Sequence, residues 1–197
     1  IKSSAASDVY KRQVLNHLAL ANLECKRILI MEYRHSQSAK TQVCNLSDLV
    51  TGCVLRFESV AFESGVELDS EIQPRLSIHG DLDCLERLVM ILLDNAVKYA
   101  GEVGRVRLEL QRRQERAVLT VTNTGQPIPP EHLDHLFQRF YRADGSRSRK
   151  EGGYGLGLAI AHTIVQFHRG QIEVKSDAQN GTCFTVTLPR VWQQEEK

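Results

Sequence analysis

The glycine-rich run Gly152–Leu158 is the segment of this chain best suited to chemistry. The apolar-periodic stretch Leu158–Val165 predicts a helix, so the glycines would place bare backbone N–H groups and a helix N-terminus at one point. Asn95 lies upstream in a second helical segment, with Lys98 about one turn further on. An amide oxygen, a lysine and a glycine-rich cradle together predict a site for magnesium and a phosphate-bearing nucleotide.

The composition predicts an ordinary folded domain. Hydrophobic residues make up 42% and charged residues 25% of the 197 residues, which is enough apolar material for a core. The formal net charge of +1 gives no general attraction to nucleic acid or to an anionic membrane, so neither is expected as a partner of this fragment. The longest apolar runs, such as Leu88–Leu93, are too short to cross a bilayer.

Cysteine usage favours a reducing compartment. The cysteines have no metal-ligand spacing, and an odd, scattered set is typical of free thiols. No secretory signal is recognisable in the first residues. These features lead us to expect a cytoplasmic location. The cysteines are Cys25, Cys44, Cys53, Cys84 and Cys183.

The N-terminal part of the chain differs from the rest. Residues 1–7 are small and polar and are expected to form a disordered tail. Residues 8–36 show helical spacing of apolar side chains without glycine or proline. A helix of that length is typical of a bundle or coiled-coil arm. We therefore expect residues 8–44 to hold this helix and a linker near 37–42.

Residues 45–190 are expected to form one α/β domain, with a short tail at 191–197. Asn45 or Ser47 is expected to cap the first helix of the domain and Asp81 the second. Alternating apolar positions predict strands, and helices on one side of such strands form a two-layer sandwich. The expected fold is a mixed, largely antiparallel sheet covered on one face by helices. The expected helices lie near 47–63, 82–99, 131–137 and 158–170, and the strands near 66–72, 106–111, 118–121, 171–176 and 182–188.

One long irregular stretch, residues 123–157, interrupts this domain. It holds two glycine-bearing segments and the polar run Ala143–Glu151. A long loop inside a compact domain is usually functional, and we expect this one to act as a lid over a ligand. Basic side chains would lie on its surface, and aromatic side chains would seat it. The basic residues are Arg139, Arg147, Arg149 and Lys150, and the aromatic ones are Phe137, Phe140 and Tyr141.

Four short segments occur in an order that resembles a known family. They match an asparagine box, a first glycine box, a phenylalanine box and a second glycine box, respectively Asn95–Tyr99, Asn123–Ile128, Phe137–Arg142 and Gly153–Leu158. Over residues 45–190 the chain thereby resembles the ATP-binding catalytic domain of bacterial sensor histidine kinases, within the ATPase superfamily shared with gyrase, Hsp90 and MutL. The phenylalanine box favours the histidine kinases over the other branches.

The resemblance implies that ATP and Mg²⁺ bind here and gives the matching residues roles. Asn95 matches the magnesium ligand, and Lys98 and Tyr99 match positions near the phosphates. Arg142 matches a position that reaches the γ-phosphate, so that Asn95, Lys98 and Arg142 form the implied catalytic set. The glycines would let the backbone approach the triphosphate. The implied nucleotide-binding positions are Asn95, Lys98, Tyr99, Asn123, Gly125, Ile128, Arg142, Gly153, Tyr154, Gly155, Leu156, Gly157 and Leu158.

Three positions depart from the family's pattern. Asn123 stands where an aspartate usually accepts a hydrogen bond from the adenine amino group. The missing charge would cost about 1 kcal/mol, or about five- to tenfold in affinity. Pro127 replaces a glycine and stiffens its loop, and Ile91 replaces a second asparagine one turn before Asn95. We expect adenine recognition to be weakened rather than abolished, with aspartate at position 123 as the change that would restore it.

The family's phosphoryl acceptor is a histidine on a dimerisation helix, and no matching sequence occurs in this chain. His17 lies on the expected N-terminal helix, but Leu18–Leu20 follows it instead of an acidic residue and a proline. The resemblance therefore implies a catalytic fragment that binds Mg-ATP without phosphorylating itself. Its implied partners are the phosphoacceptor domain of the same protein and a response regulator, and its parent would be an inner-membrane sensor.

Two other functions stay open from the sequence. An ATPase or serine kinase of the same superfamily would need a group that orients water or a hydroxyl, and Asp94 is a carboxylate next to Asn95. A degenerate domain that serves as a signalling scaffold would fit the departures at Asn123 and Ile91. Absence of nucleotide binding would favour the scaffold.

Overall fold

A computed structural model of the chain describes residues 41–101, 103–143 and 155–190. The expectations for the N-terminal helix and His17, for Gly153 and Tyr154, for the basic run at 147–150, and for the tail at 191–197 lie outside these ranges. Within them, none of the helices combines the length and the apolar character that a membrane span requires.

The described ranges form four helices and seven strands. The helices are α1 (Leu46–Glu63), α2 (Leu82–Tyr99), α3 (Pro130–Leu133) and α4 (Gly157–Phe167). The strands are β1 (Gln42–Asn45), β2 (Glu67–Ile72), β3 (Ser77–Gly80), β4 (Arg105–Arg113), β5 (Arg116–Asn123), β6 (Gln171–Asp177) and β7 (Gly181–Pro189). The strands expected from alternation are therefore confirmed within a residue or two at most ends.

Five strands form a mixed sheet in the order β2-β4-β5-β7-β6. Only the β2–β4 pair of this sheet is parallel, and the other neighbours are antiparallel. The register aligns apolar side chains across four strands on one face, and α2 packs against β4 and β5 on the buried side. This confirms the expected two-layer sandwich. One such row is Leu108, Val121, Phe184 and Val174.

A second, two-stranded sheet was missed by the sequence analysis. β1 pairs antiparallel with β3, and Ile78 of β3 also forms a bridge with Arg190 just after β7. Four-residue strands carry little periodicity, so their pairing across distant parts of the chain has no local signal. The expected helix at 131–137 was also too long. In the structure α3 ends at Leu133, and turns closed by hydrogen bonds between residues three apart follow it.

The two long helices begin at polar caps. The Asn45 side chain accepts a hydrogen bond from Asp48 N at 3.3 Å, so Asn45 rather than Ser47 caps α1. Asp81 caps α2 by accepting from Cys84 N at 3.0 Å, as expected. Along α2, one stripe of side chains is buried, and this leaves the opposite side of its C-terminal end for other roles. The stripe comprises Leu85, Leu88, Val89, Leu92, Leu93 and Ala96.

Candidate functional site

The C-terminal end of α2 carries the asparagine box. Spacings of four and seven residues place Ile91, Asn95 and Lys98 on one side of the helix. Asn95 is half-buried, and its Nδ2 donates a 2.8 Å hydrogen bond to the Ile91 carbonyl. Its Oδ1 accepts no hydrogen bond from the described part of the chain. Because the amide nitrogen is held inside the helix, the oxygen is the atom that Asn95 offers to a ligand.

The first residue of α4 lies against this asparagine. A Cβ added at Gly157 would lie 3.5 Å from Ile91 Cγ2 and 3.8 Å from Asn95 Nδ2. The preceding Leu156 is buried and provides no side-chain cap, so the first-turn N–H groups of α4 have no capping side chain. The structure therefore brings the asparagine box and the second glycine box together. The half-buried Leu158 follows in the first turn of α4.

Asn123 ends β5 and is 3% exposed. Its Nδ2 donates to the Tyr99 carbonyl at 3.3 Å and to the Thr124 carbonyl at 2.6 Å. If the amide were flipped, Oδ1 would take the position of Nδ2 and face two carbonyl oxygens. These two contacts therefore fix the orientation of the amide. Oδ1 has no partner among the described residues. The side chain therefore presents an acceptor and keeps its donors occupied.

The first glycine box is bound to the end of α2. Gly125 has φ +120°, and a Cβ there would collide with the Tyr99 carbonyl oxygen, so no larger residue fits. The Thr124 hydroxyl donates to the Ala100 carbonyl at 2.8 Å. The end of the asparagine box and the start of the glycine box are thus fixed to each other by side-chain hydrogen bonds to the Tyr99 and Ala100 carbonyls.

A short row of hydrogen-bonded polar groups lies beside Asn123 and was not predicted from the sequence. Thr182 is 5% exposed and pairs with Asn123 across the β5–β7 ladder. Its hydroxyl lies 2.8 Å from Ser176 Oγ, which in turn accepts the Ile128 N–H at 2.8 Å. Ile128 is therefore held at the site by its backbone. Thr182 is the second residue of β7, and only the pairing of β5 with β7 places it beside Asn123.

Lys98 and Tyr99 lie at the rim of the same region. Lys98 Nζ is 5.5 Å from the centre of the Tyr99 ring, a cation–π distance, and the Tyr99 side chain is 49% exposed. Both residues end α2, one turn beyond Asn95, and their side chains are accessible to solvent.

The phenylalanine box is seated on the body of the domain through one ring. Phe137 stacks on His162 of α4 at 5.6 Å between centroids and meets the edge of Phe184 in β7 at 6.4 Å. Tyr141 contacts His132 through its hydroxyl at 2.6 Å. Phe140, in contrast, is 51% exposed with φ +65°, so the expectation that it packs is wrong.

Gly155 lies beside the C-terminal end of the phenylalanine box. Phe140 N donates a 2.9 Å hydrogen bond to Gly155 O. Gly155 has φ +69°, and a Cβ at this position would lie too close to Tyr141 O, at 2.8 Å. The two ends of the intervening segment are thereby held side by side. Arg142 is exposed at the start of this segment, and its contact with a phosphate stays a prediction.

The residues of the site fit a magnesium ion that binds together with a phosphate-bearing ligand better than a metal ion held by protein side chains alone. Among the described residues, no cluster of three or more His, Cys, Asp or Glu side chains could hold a metal ion. The Asn95 oxygen would be one ligand to a Mg²⁺ that keeps waters and binds phosphate oxygens. The uncapped start of α4 beside it provides N–H donors for the same phosphates.

Comparison with known proteins places this arrangement in a family. The model of the family "Histidine kinase-, DNA gyrase B-, and HSP90-like ATPase" matches residues 80–191. The sensor histidine kinase RppB of Synechocystis is 40% identical over 149 residues, which cover 75% of this chain and 33% of that protein. The sensor histidine kinase CusS of Escherichia coli K12 is 41% identical over 148 residues, 75% of this chain and 30% of that protein.

Solved structures show the same fold. The mycobacterial sensor histidine kinase MprB has a TM-score of 0.68 and 29% identity, and the match covers 77% of this chain and 100% of that one. The chain spans about a third of the length of these two curated relatives. Since the family model covers more than half of the chain and includes the asparagine box and both glycine boxes, the chain belongs to the histidine kinase-, DNA gyrase B- and HSP90-like ATPase family.

Proposed function

We propose that this chain is the ATP-binding catalytic part of a two-component sensor histidine kinase. It would bind Mg-ATP and position the γ-phosphoryl group for transfer to a histidine on a dimerisation domain of the same protein, for relay to a response regulator. The observation that carries the proposal is the contact between the uncapped start of α4 at Gly157 and the amide of Asn95.

The phosphate end of the site follows from that contact. Backbone N–H groups at the start of α4 favour negative charge, and Asn95 Oδ1 lies on the neighbouring helix as a magnesium ligand. Bound magnesium would neutralise charge on the phosphate oxygens. Lys98, on the same side of α2, would add a second positive charge, and Arg142 a third.

The base end of the site is the region of Asn123. Its Oδ1 would accept a hydrogen bond from the exocyclic amino group of adenine, because both amide hydrogens are already donated to carbonyls. Thr182, Ser176 and the Ile128 N–H form the polar wall next to it. The Gly125 turn keeps the loop against Tyr99 so that the base can approach.

The chemistry left to this chain is positioning and charge stabilisation. An imidazole nitrogen of the acceptor would attack the γ-phosphorus, the bond to the β-phosphate oxygen would break, and ADP would leave with that electron pair. The residues named above would hold the triphosphate in line for this transfer. They form no covalent bond to it.

The ATPase or serine kinase alternative is less well supported by this site. Ile91, an aliphatic residue, stands one turn before Asn95 and lies beside Gly157, where a carboxylate could otherwise orient a water molecule. Asp94 is exposed on the neighbouring side of α2. A site of this kind favours transfer to a supplied acceptor over hydrolysis.

The experiment that tests the proposal is a calorimetric titration with a non-hydrolysable ATP analogue, in magnesium and again in EDTA. Asn95→Ala is expected to remove the magnesium-dependent part of the affinity, at least about tenfold, and to leave binding in EDTA unchanged. Asn45→Ala removes an amide from a helix cap elsewhere and serves as the matched control. Failure of the wild-type chain to bind would overturn the proposal and favour the scaffold.

A further inference from the structure

His168 joins the far ends of the two helices that meet at the proposed nucleotide site. It follows α4 directly and is 5% exposed. Its Nε2 accepts a 3.0 Å hydrogen bond from the backbone N–H of Asp81, the cap residue of α2. Its Nδ1 lies 2.7 Å from the Ile164 carbonyl, one turn back in α4.

These two contacts define the protonation state of the ring. A carbonyl oxygen can only accept, so Nδ1 carries a hydrogen, and a backbone N–H can only donate, so Nε2 carries a lone pair. The folded chain therefore holds the neutral Nδ1–H tautomer. Gly80 leaves room for it, because a Cβ at that position would lie 2.6 Å from the ring.

The helices α2 and α4 are consequently close together at one end and joined by a hydrogen bond at the other. At one end Gly157, the first residue of α4, lies against Asn95. At the other end, about 20 Å away along α2, His168 binds the backbone of Asp81. Asp81 is doubly held, since its carboxylate also caps Cys84 N. Sliding of these two antiparallel helices along each other would break the His168 bond and change the spacing between Gly157 and Asn95.

We infer that His168 is a positioning residue for nucleotide binding, acting through the axial register of α4 against α2. A shift of this register would move the N–H groups at Gly157 relative to the Asn95 oxygen, and both are proposed to meet the phosphates. The inference rests on the function proposed above. It goes further by assigning a role to a residue that lies at the opposite end of the helices from the ligand.

Two isosteric substitutions separate the two hydrogen bonds of the ring. His168→Asn keeps a donor at the position of Nδ1 and lacks an acceptor at the position of Nε2. His168→Gln places an amide oxygen near the position of Nε2 and lacks the local donor. The inference predicts that nucleotide affinity follows the bond to Asp81, so the Asn variant should bind the magnesium–ATP analogue about three- to tenfold more weakly and the Gln variant should bind nearly as well as wild type.

The measurement is the dissociation constant at a temperature where each variant is fully folded by circular dichroism. Val118→Ala is the matched control, because Val118 is buried on the sheet face opposite to the helices and its truncation should lower stability without changing affinity. A purely structural role for His168 would lower the melting temperature of the Asn variant and leave its dissociation constant unchanged. That result would overturn the inference.

A second measurement needs no variant. Long-range 15N NMR of the wild-type chain should show the Nδ1–H tautomer of His168 and slow exchange of the Asp81 amide hydrogen. An Nε2–H tautomer would contradict the inference even if no variant folds. If wild type binds the analogue and both His168 variants bind it as tightly as wild type, the positioning role fails and the proposed function stands. If wild type binds no nucleotide, both fail.

Discussion

At the scale of single residues, Asn123 is the most instructive. From sequence, its difference from the family's aspartate reads only as a lost charge. The structure adds that its amide nitrogen is donated to two backbone carbonyls in a nearly inaccessible place. Asparagine can donate hydrogen bonds to these two carbonyls, and a carboxylate cannot. The sequence pattern could not reveal this difference, because the orientation of the side chain depends on the distant Tyr99 carbonyl.

The two donor bonds of Asn123 argue against the restoration by aspartate that the sequence led us to expect, and Asn123→Asp should instead harm the fold and leave binding unrestored. A carboxylate would lose both donor bonds and face two carbonyl oxygens, which should lower the free energy of unfolding by about 1–3 kcal/mol. Urea denaturation and nucleotide titration at the same pH measure the two effects. Gln166→Glu, the same chemical change on an exposed residue of α4, is the control. Tenfold tighter binding without loss of stability would show that the charge outweighs the two bonds.

Ile91 offers a test of the reaction class. Ile91→Glu would place a carboxylate one turn before Asn95, where it could orient water toward the phosphates. We expect ATP hydrolysis by the isolated chain to rise about ten- to hundredfold above the wild-type rate. Ile91→Gln has the same length without a base and should leave hydrolysis low. Equal rates for the two variants would mean that this position does not control access of water.

At the scale of secondary structure, Ser47 is fixed by partners that are remote in sequence. Its hydroxyl donates to the Gln73 carbonyl at 2.7 Å and accepts the Leu76 N–H at 3.0 Å, and this fastens α1 to the turn before β3. The sequence alone left Asn45 and Ser47 as equal candidates for the cap. Periodicity and capping identified α1, α2, α4 and the strands of the large sheet, since these signals are local. The pairing of β1 with β3 and the bridging role of Ser47 are not local, and the sequence could not show them.

Ser47→Ala should therefore cost more stability than Asn45→Ala. The first change leaves the buried Leu76 N–H without its acceptor, at a cost of about 1–3 kcal/mol. The second removes an exposed cap bond of 3.3 Å, which is expected to cost about 0.5–1 kcal/mol. Free energies of unfolding from urea titrations of both variants make the comparison. The reverse order would mean that the cap, and not the bridge, fixes the start of α1.

At the scale of the whole molecule, burial should decide which thiols react. The described cysteines are all free, and burial, reinforced by the charge of Asp81, raises the pKa of Cys84 to about 12. Burial also raises the pKa of the Cys44 and Cys53 thiols, whereas Cys183 lies half-buried on the sheet. Because the thiolate is the reactive form, Cys183 should be alkylated first among these four described cysteines and the other three only on unfolding. Peptide mass spectrometry after timed labelling at pH 8 measures this order, and equal rates for Cys84 and Cys183 would contradict it.

The small sheet also brings distant parts of the chain together. Cys44 of β1 pairs with Ile78, and Ile78 bridges to Arg190, so residues 44 and 190 are separated by one intervening strand, about 10 Å. A linker of about five glycine and serine residues would therefore be long enough to join residue 190 to residue 41. New ends could then be opened at the exposed α1–β2 turn, Ser64–Gly65. The domain is thus a candidate for circular permutation, with the new ends just before β2, whose first residue, Glu67, pairs with Arg105.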